Sequence, residues 1–412
     1  VVNRITADNL MEYKTAFQNM KKNNLAFWCM PEGVGAPSFL AGLEDAGLSQ
    51  GNSGYCWLIS FLNCIDILLK NQHHSCLPPS VNSLVFYDKL EKANWFLNHI
   101  TQNHMNKREQ QYLLNTVCND QGHWNMASHL IQKYGVPVSA EGEPTIVKDT
   151  ARLNDSLKLV LRTYACRLKT EDLSHPDSLQ NEIQDILYRV FFLLASFLGM
   201  PHQDQLKRSP VEEESIEESV LGNSSIGKFI SENYISISCI PGHPYHTLIK
   251  VLLDGNIEEY SGNIFLNLPE EEFYEAIRFQ VEQENFCYIG CDSKCFTNHK
   301  VGIWDENSYI FPKWVDLNLY KQINRDQRLR YRLMKLSHAV VLCKRVQADD
   351  QLWWIAKNTF GVEYGEKGYT AISDIWLKKY VIHAVVRNEF LHSVKQIKEI
   401  YVKPWELSGK EL

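Results

Sequence analysis

The sequence predicts an α+β fold for this chain of 412 residues. Three observations support that class. The first half runs in helical periods, and the second half breaks into short β-branched and aromatic runs bounded by Gly, Pro, Asn and Asp. Early in the chain, a glycine-rich loop ends at a cysteine that opens an apolar helix. Helices first and sheet last is the order of an α+β domain.

Composition narrows the function. The chain is 44% hydrophobic and 11% aromatic, which supports a large core and excludes a disordered chain. The balance of 42 Lys+Arg against 49 Asp+Glu leaves a net charge of −7, which lends nucleic-acid binding no support. Eleven cysteines, an odd number spread from Cys29 to Cys343, do not form the dense, even framework of a secreted disulfide scaffold. They read as reduced thiols in a cytoplasmic setting. No stretch approaches 18 apolar residues without a charge, so neither a membrane span nor a membrane partner is expected. The first twenty residues lack the apolar region of a signal peptide.

The elements follow in order. Residues 6–22 place Leu10, Tyr13, Phe17 and Met20 on one helical face, with Thr6 and Asp8 as N-cap candidates. A Gly/Pro-rich loop spans 31–54. Residues 56–69 are apolar on nearly every face, the pattern of a buried central helix. Helical periods then predict helices over 85–104, 106–117, 124–134, 150–168 and 179–198. The acidic run at 211–219 reads as solvated charge. Strands are expected over 234–240, 247–253, 286–290, 338–346 and 353–358. The resulting division is an N-terminal region with the nucleophile helix (1–80), a helical insertion (81–230) and a β-rich part (231–402).

The chemistry begins at Gln50-Gly51-Asn52-Ser53-Gly54-Tyr55-Cys56-Trp57. A thiol at a helix N-terminus faces the positive end of the macrodipole and the unpaired first-turn N–H groups, and both favour thiolate. Paired with a histidine, such a thiol can fall to a pKa of roughly 3–4. The Cys56 N–H and the Gln50 amide are candidate oxyanion donors. A base must come from elsewhere. His338 opens one predicted strand and Asn358 closes the next. If the hairpin turns about Ala348, the two face each other, and an Asn oxygen beside a His ring N–H fixes the ring for proton transfer. The series Cys287, Cys291, Cys295, His299 looks like a metal ladder, but its spacing and predicted strand favour core thiols. No metal and no cofactor is expected. His73, His74, His243 and His246 read as surface histidines, and His123 and His129 as helix positions on different faces.

The block from Gln50 to Trp57, with Asn358-Thr359-Phe360-Gly361 and Gly365-Glu366-Lys367-Gly368-Tyr369, resembles the cysteine and asparagine motifs of papain-type peptidases. The closer likeness is to the bleomycin hydrolase / aminopeptidase C branch. It rests also on Gly122-His123-Trp124-Asn125-Met126, Lys133-Tyr134-Gly135-Val136-Pro137, Tyr188-Arg189-Val190, Leu198-Gly199-Met200-Pro201, Gly290-Cys291-Asp292, Leu317-Asn318-Leu319-Tyr320, Arg328-Leu329-Arg330-Tyr331 and Ser337-His338-Ala339. It covers almost the whole chain. The resemblance implies a papain-like α+β fold with a helical insertion and a C-terminal arm (403–412) in the cleft. It implies Cys56 as nucleophile, His338 as base and acid, Asn358 as orienting group and Gln50 as oxyanion donor. It further implies aminopeptidase action on peptides, with the carboxylate of Leu412 anchoring the substrate amine, and a hexameric ring. The chain departs from the pattern at two positions by the site. Phe360 stands where the family has Trp, with weaker shielding of the His–Asn contact expected. Tyr55 stands where the family has Arg, which is expected to place a bulky neutral side chain near the cleft. A binding protein with decayed catalysis on the same fold is the alternative reading.

Overall fold

The computed structural model describes residues 7–20, 30, 33–71, 78–139, 146–170, 176–201, 223–310, 316–348, 350–390 and 398–407. Eight helices come first: α1 (Ala7–Met20), α2 (Cys56–Asn71), α3 (Val81–Ile100), α4 (Lys107–Thr116), α5 (Trp124–Tyr134), α6 (Ala151–Thr170), α7 (Pro176–Leu198) and α8 (Asn223–Asn233). The acidic run at 211–219 lies outside the described residues.

The all-round apolar pattern of α2 has its expected consequence. Trp57, Leu58, Ile59, Phe61 and Cys64 are fully or almost fully buried, between the sheet and α5. Each such side chain removed from water contributes about 1.5–3 kcal/mol. Helices α3, α6 and α7 build a second core of their own. Leu153, Leu157 and Leu161 recur every four residues on α6, and meet Ile183, Ile186, Val190 and Leu194 of α7. α3 begins at Val81, four residues before the expected start, because the Ser80 hydroxyl accepts the Ser83 N–H and caps it. Asn106 and Glu109 form a capping box that starts α4.

The second half forms an eleven-stranded mixed sheet: β1 (Tyr234–Ser238), β2 (Thr247–Val251), β3 (Ile264–Asn267), β4 (Cys287–Cys291), β5 (Thr297–Asn298), β6 (Ile303–Trp304), β7 (His338–Ala348), β8 (Gln351–Lys357), β9 (Tyr369–Ser373), β10 (Val381–Arg387) and β11 (Lys398–Val402). Their spatial order is β11-β2-β3-β1-β10-β4-β7-β8-β9-β6-β5. Four helices sit in this half: α9 (Glu270–Glu284), α10 (Leu317–Gln322), α11 (Arg325–Arg330) and α12 (Asp374–Tyr380). α9 and α12 cover one face with Phe273, Ile277, Trp376 and Leu377, while α2 covers β7 and β4 from the other. Among the described residues no helix is long and apolar enough to cross a membrane.

The β7–β8 hairpin corrects the expected register. Ala348 pairs with Gln351, so the turn lies beyond Ala348 with Asp350 in the left-handed region at φ 57°. A register shift between Leu342 and Lys344 then moves the ladder by one residue, and Val341 faces Lys357. His338 is therefore not laterally opposite Asn358. It pairs with Cys291 of β4 on its other side.

Candidate active site

One cavity of about 870 Å³ runs between the helical half and the sheet. Gln50, Cys56, His299, His338 and Phe360 line it, together with Pro404 and Leu407.

Cys56 is the first residue of α2. The loop before it is fastened from below. The Gly54 N–H donates to Asp120 Oδ2 at 3.1 Å, and the Trp57 indole donates to the Asp120 carbonyl at 2.8 Å. Asp120 is in turn held by Lys89, whose buried ammonium lies 2.6 Å from Asp120 Oδ1, the Cys118 carbonyl and Asn154 Oδ1. Thr150 donates to Asp120 Oδ2 at 2.6 Å. Burial alone would raise the Asp120 carboxyl, yet Lys89, Thr150 and the Gly54 N–H hold it well below the usual carboxylate range.

Tyr55 is not in the cleft, contrary to the sequence expectation. It is fully buried, and its hydroxyl donates to Asp88 Oδ2 at 2.9 Å. Lys89 and Lys92 lie over its ring. An aromatic body with a polar tip suits this buried ionic layer.

Across the cleft, His338 Nε2 lies 2.9 Å from Asn358 Oδ1. The amide orientation is fixed independently. Thr359 N–H donates to the same Oδ1 at 2.8 Å, and Asn358 Nδ2 donates to Thr370 Oγ1 at 3.1 Å. An acceptor at Oδ1 requires the proton on Nε2, so Nδ1 keeps its lone pair. Asn358 reaches His338 although the ladder does not pair them. It lies one residue past the end of β8, where the chain leaves the sheet and Asn358 N–H donates to the Gly368 carbonyl. Phe360 stacks on His338 with centroids 4.5 Å apart and planes 3° from parallel. The smaller ring thus still covers the imidazole face.

Gln50 joins the halves. Its N–H donates to the Thr359 carbonyl at 2.8 Å, its Oε1 accepts from Thr359 Oγ1 at 2.5 Å, and its Nε2 donates to the Ser53 carbonyl at 2.7 Å. A second Nε2 hydrogen remains for another acceptor.

Burial disfavours the charged form of each partner. It pushes the Cys56 thiol up to about 11, opposed by the backbone N–H groups of Ala339, Trp57 and Cys56 itself. It pushes His338 down to about 4, opposed by the Asn358 hydrogen bond and helped by His299. The helix N-terminus alone predicts a lowered thiol, so here desolvation outweighs it. A proton passed from one to the other creates both charges together, where each offsets the burial of its partner.

Sequence reasoning missed three residues at this site. His299, set aside with the cysteine series, lies edge-on to Phe360 at 4.6 Å, with a buried Nδ1 that has no hydrogen-bond partner. His123 and His383 also line the cavity. His123 stands in the Gly122–Met126 motif without a role assigned to it, and no local motif marks a role for His299 or His383. Cys287 and Cys291 are buried in β4, and among the described residues no group of three His, Cys, Asp or Glu is placed to hold a metal. His243 is buried rather than on the surface, and its Nε2 lies 2.9 Å from the Glu406 carbonyl.

The arm enters here. Trp405 packs edge-on to Tyr112 with Arg108 over its ring, and Lys403 Nζ lies 2.6 Å from Glu109 Oε1. Leu412 lies outside the described residues.

A thiol opening the central helix, facing a histidine–asparagine pair on a sheet, is the arrangement of a papain-like thiol hydrolase. Comparison with known proteins agrees. The family model described as the peptidase C1-like family matches residues 41–409. Aminopeptidase C of Streptococcus thermophilus is 29% identical over 364 residues, covering 84% of this chain and 81% of that protein. Human bleomycin hydrolase is 26% identical over 391 residues, covering 88% and 85%. The crystal structure of PepW from Lactobacillus rhamnosis HN001 matches with a TM-score of 0.75 over 98% of both chains at 22% identity, a likeness of fold. The chain belongs to the peptidase C1-like family.

Proposed function

We propose that the chain is a cysteine aminopeptidase that releases N-terminal residues from peptides through a thioester on Cys56. The observation that supports this most is the His338–Asn358 hydrogen bond, which leaves Nδ1 free in the cavity that holds the thiol. Names borne by relatives, aminopeptidase C and bleomycin hydrolase, support the same class.

In this reading Cys56 Sγ attacks the carbonyl carbon and its proton passes to His338 Nδ1. The developing oxyanion takes the Cys56 N–H and the second Nε2 hydrogen of Gln50. His338 then protonates the leaving amine, and later takes a proton from the water that cleaves the thioester. Asn358 orients the ring throughout. The carboxylate of Leu412 anchors the substrate amine, supported by Pro404 and Leu407 lining the cavity and by the family resemblance. A six-subunit ring and a cytoplasmic location belong to the proposal on the resemblance alone.

Paired fluorogenic aminoacyl substrates, one with a free α-amine and one N-acetylated, test it. Cleavage of the free-amine substrate only, abolished by Cys56→Ala, is the expected result. Equal cleavage of both removes the tail anchor. Cleavage of neither, over a panel of N-terminal residues, overturns the peptidase reading in favour of a binding protein.

A further inference from the structure

The cavity continues past the thiol toward a second polar group. Two of its lining residues are glycines packed closely against their neighbours. A Cβ at Gly122 would sit 2.4 Å from the Trp57 indole, and one at Gly290 would sit 2.7 Å from Leu336 Cδ1 and 3.2 Å from His383 Cβ. Gly290 also lies between the two sides in the sheet. It pairs with Ala339, the neighbour of His338, on one side and with His383 on the other. The row Ala339, Gly290, His383 therefore leads from the catalytic strand to the far wall of the same cavity.

That wall is polar and incompletely satisfied. His123 and His383 are 7% and 6% exposed, and both line the cavity. Neither ring nitrogen of His123 makes a hydrogen bond of good geometry, although the Asp254 backbone lies beside the ring, and His383 Nε2 has no partner. Native proteins rarely leave buried polar atoms so. Beside them stands Asp254, which also lines the cavity. Its Oδ2 lies 3.9 Å from His123 Nε2 and 3.2 Å from Asn263 Nδ2, and its side chain is 26% exposed. Among the described residues no Lys or Arg forms an ion pair with it. The nearby Lys92 is spent on Asp88 at 2.8 Å and on the Asn119 and Gln121 carbonyls. Burial disfavours the charged form of both rings, pushing His383 down to about 3 and His123 below its ordinary value. Trp95 and Tyr112 line the same part of the cavity, and aromatic faces attract cations.

We infer that Asp254, flanked by His123 and His383, forms a subsite for an alkylammonium or guanidinium group of the substrate. A carboxylate on a partly buried wall, with ring nitrogens beside it as further hydrogen-bond partners, selects a cation over a neutral chain of the same length. The group is a basic side chain of the substrate's N-terminal residue, since the proposed function gives the α-amine to the Leu412 carboxylate. The inference rests on the peptidase reading for its role in turnover, although the binding itself does not.

The test compares lysyl and norleucyl fluorogenic substrates in the wild type, Asp254→Asn and Asp254→Glu. A KM at least tenfold higher for the lysyl substrate alone in Asp254→Asn, restored in Asp254→Glu, supports the subsite. An equal rise for both substrates overturns the side-chain subsite and moves the α-amine from Leu412 to Asp254. Unchanged KM values, or a loss in kcat shared by both, overturn it as well. Calorimetric titration of lysinamide and norleucinamide into Cys56→Ala, with and without Asp254→Asn, reads binding without turnover. Binding that depends on Asp254 in a protein that cleaves nothing would sink the peptidase reading and keep the subsite. Binding indifferent to Asp254 would sink the subsite alone.

Discussion

The two walls of the cleft are built by different physics. On the helical side, Cys56 is held by buried charge. Its loop hangs from Asp120, and Asp120 hangs from Lys89, an ammonium with no exposed surface. On the sheet side, His338 is held by short-range contacts. Asn358 fixes its tautomer and Phe360 covers its face. The partners on the first wall are distant in sequence, whereas those on the second lie within about one hairpin. The placement of Cys56 therefore depends on a network that fails as a unit, and that of His338 on contacts that fail one at a time.

The strongest way to break the contrast is Lys89→Met. It strands Asp120 under the nucleophile loop and should destabilise the protein by about 3–5 kcal/mol, read from urea unfolding. Thr150, Asn154 and Gly54 remain on Asp120, and a cost well under 1 kcal/mol would show that they suffice without the ion pair.

Acid should separate the two walls. His338 has a folded pKa of about 4, below the unfolded value of about 6.5. Between those values the unfolded chain binds the extra proton, so stability falls as pH drops through that window, by roughly 3 kcal/mol for this one group. His383 adds to the same trend. Asp120 acts in the same direction but in a lower window. Its folded pKa is depressed, so its contribution is complete above the unfolded carboxylate value of about 3.9 and is lost only as pH falls below it. Stability measured from pH 7 to 4 should therefore decline in wild type, and decline less steeply in His338→Gln. An identical slope would contradict the depressed His338.

The smallest expected effect is at Phe360. Phe360→Ala removes one stacked ring worth about 1 kcal/mol and should lower kcat/KM about tenfold, while Phe360→Trp keeps the stack and most of the activity. Equal activity of all three would mean that the hydrogen bond to Asn358 orients the ring alone.

The same contrast explains what was legible in the sequence. The Cys56 loop, His338 and Asn358 stand in short motifs, and the apolar run of α2 announces a buried helix. The route from Asn358 to His338 was misjudged, because a one-residue register shift and a turn at Asp350 are not written in residue type. β10 went unrecognised although it lies in the middle of the sheet. His383 interrupts its apolar run, and the helix α12 leads into it without a break. Lys89, Asp120 and Asp254 carry no local signal, since a charged residue on a helix or loop reads as solvated until its partners are seen.

The central claim is that Cys56 accepts the acyl group. Mixing the protein with an aminoacyl p-nitrophenyl ester, quenching in acid and mapping the adduct by mass spectrometry tests it directly. The account predicts one acyl group on the peptide containing Cys56, formed in wild type, slowed at least a hundredfold in His338→Gln and absent in Cys56→Ala. Acylation of another cysteine, or p-nitrophenol release that continues unchanged in Cys56→Ala, would contradict it.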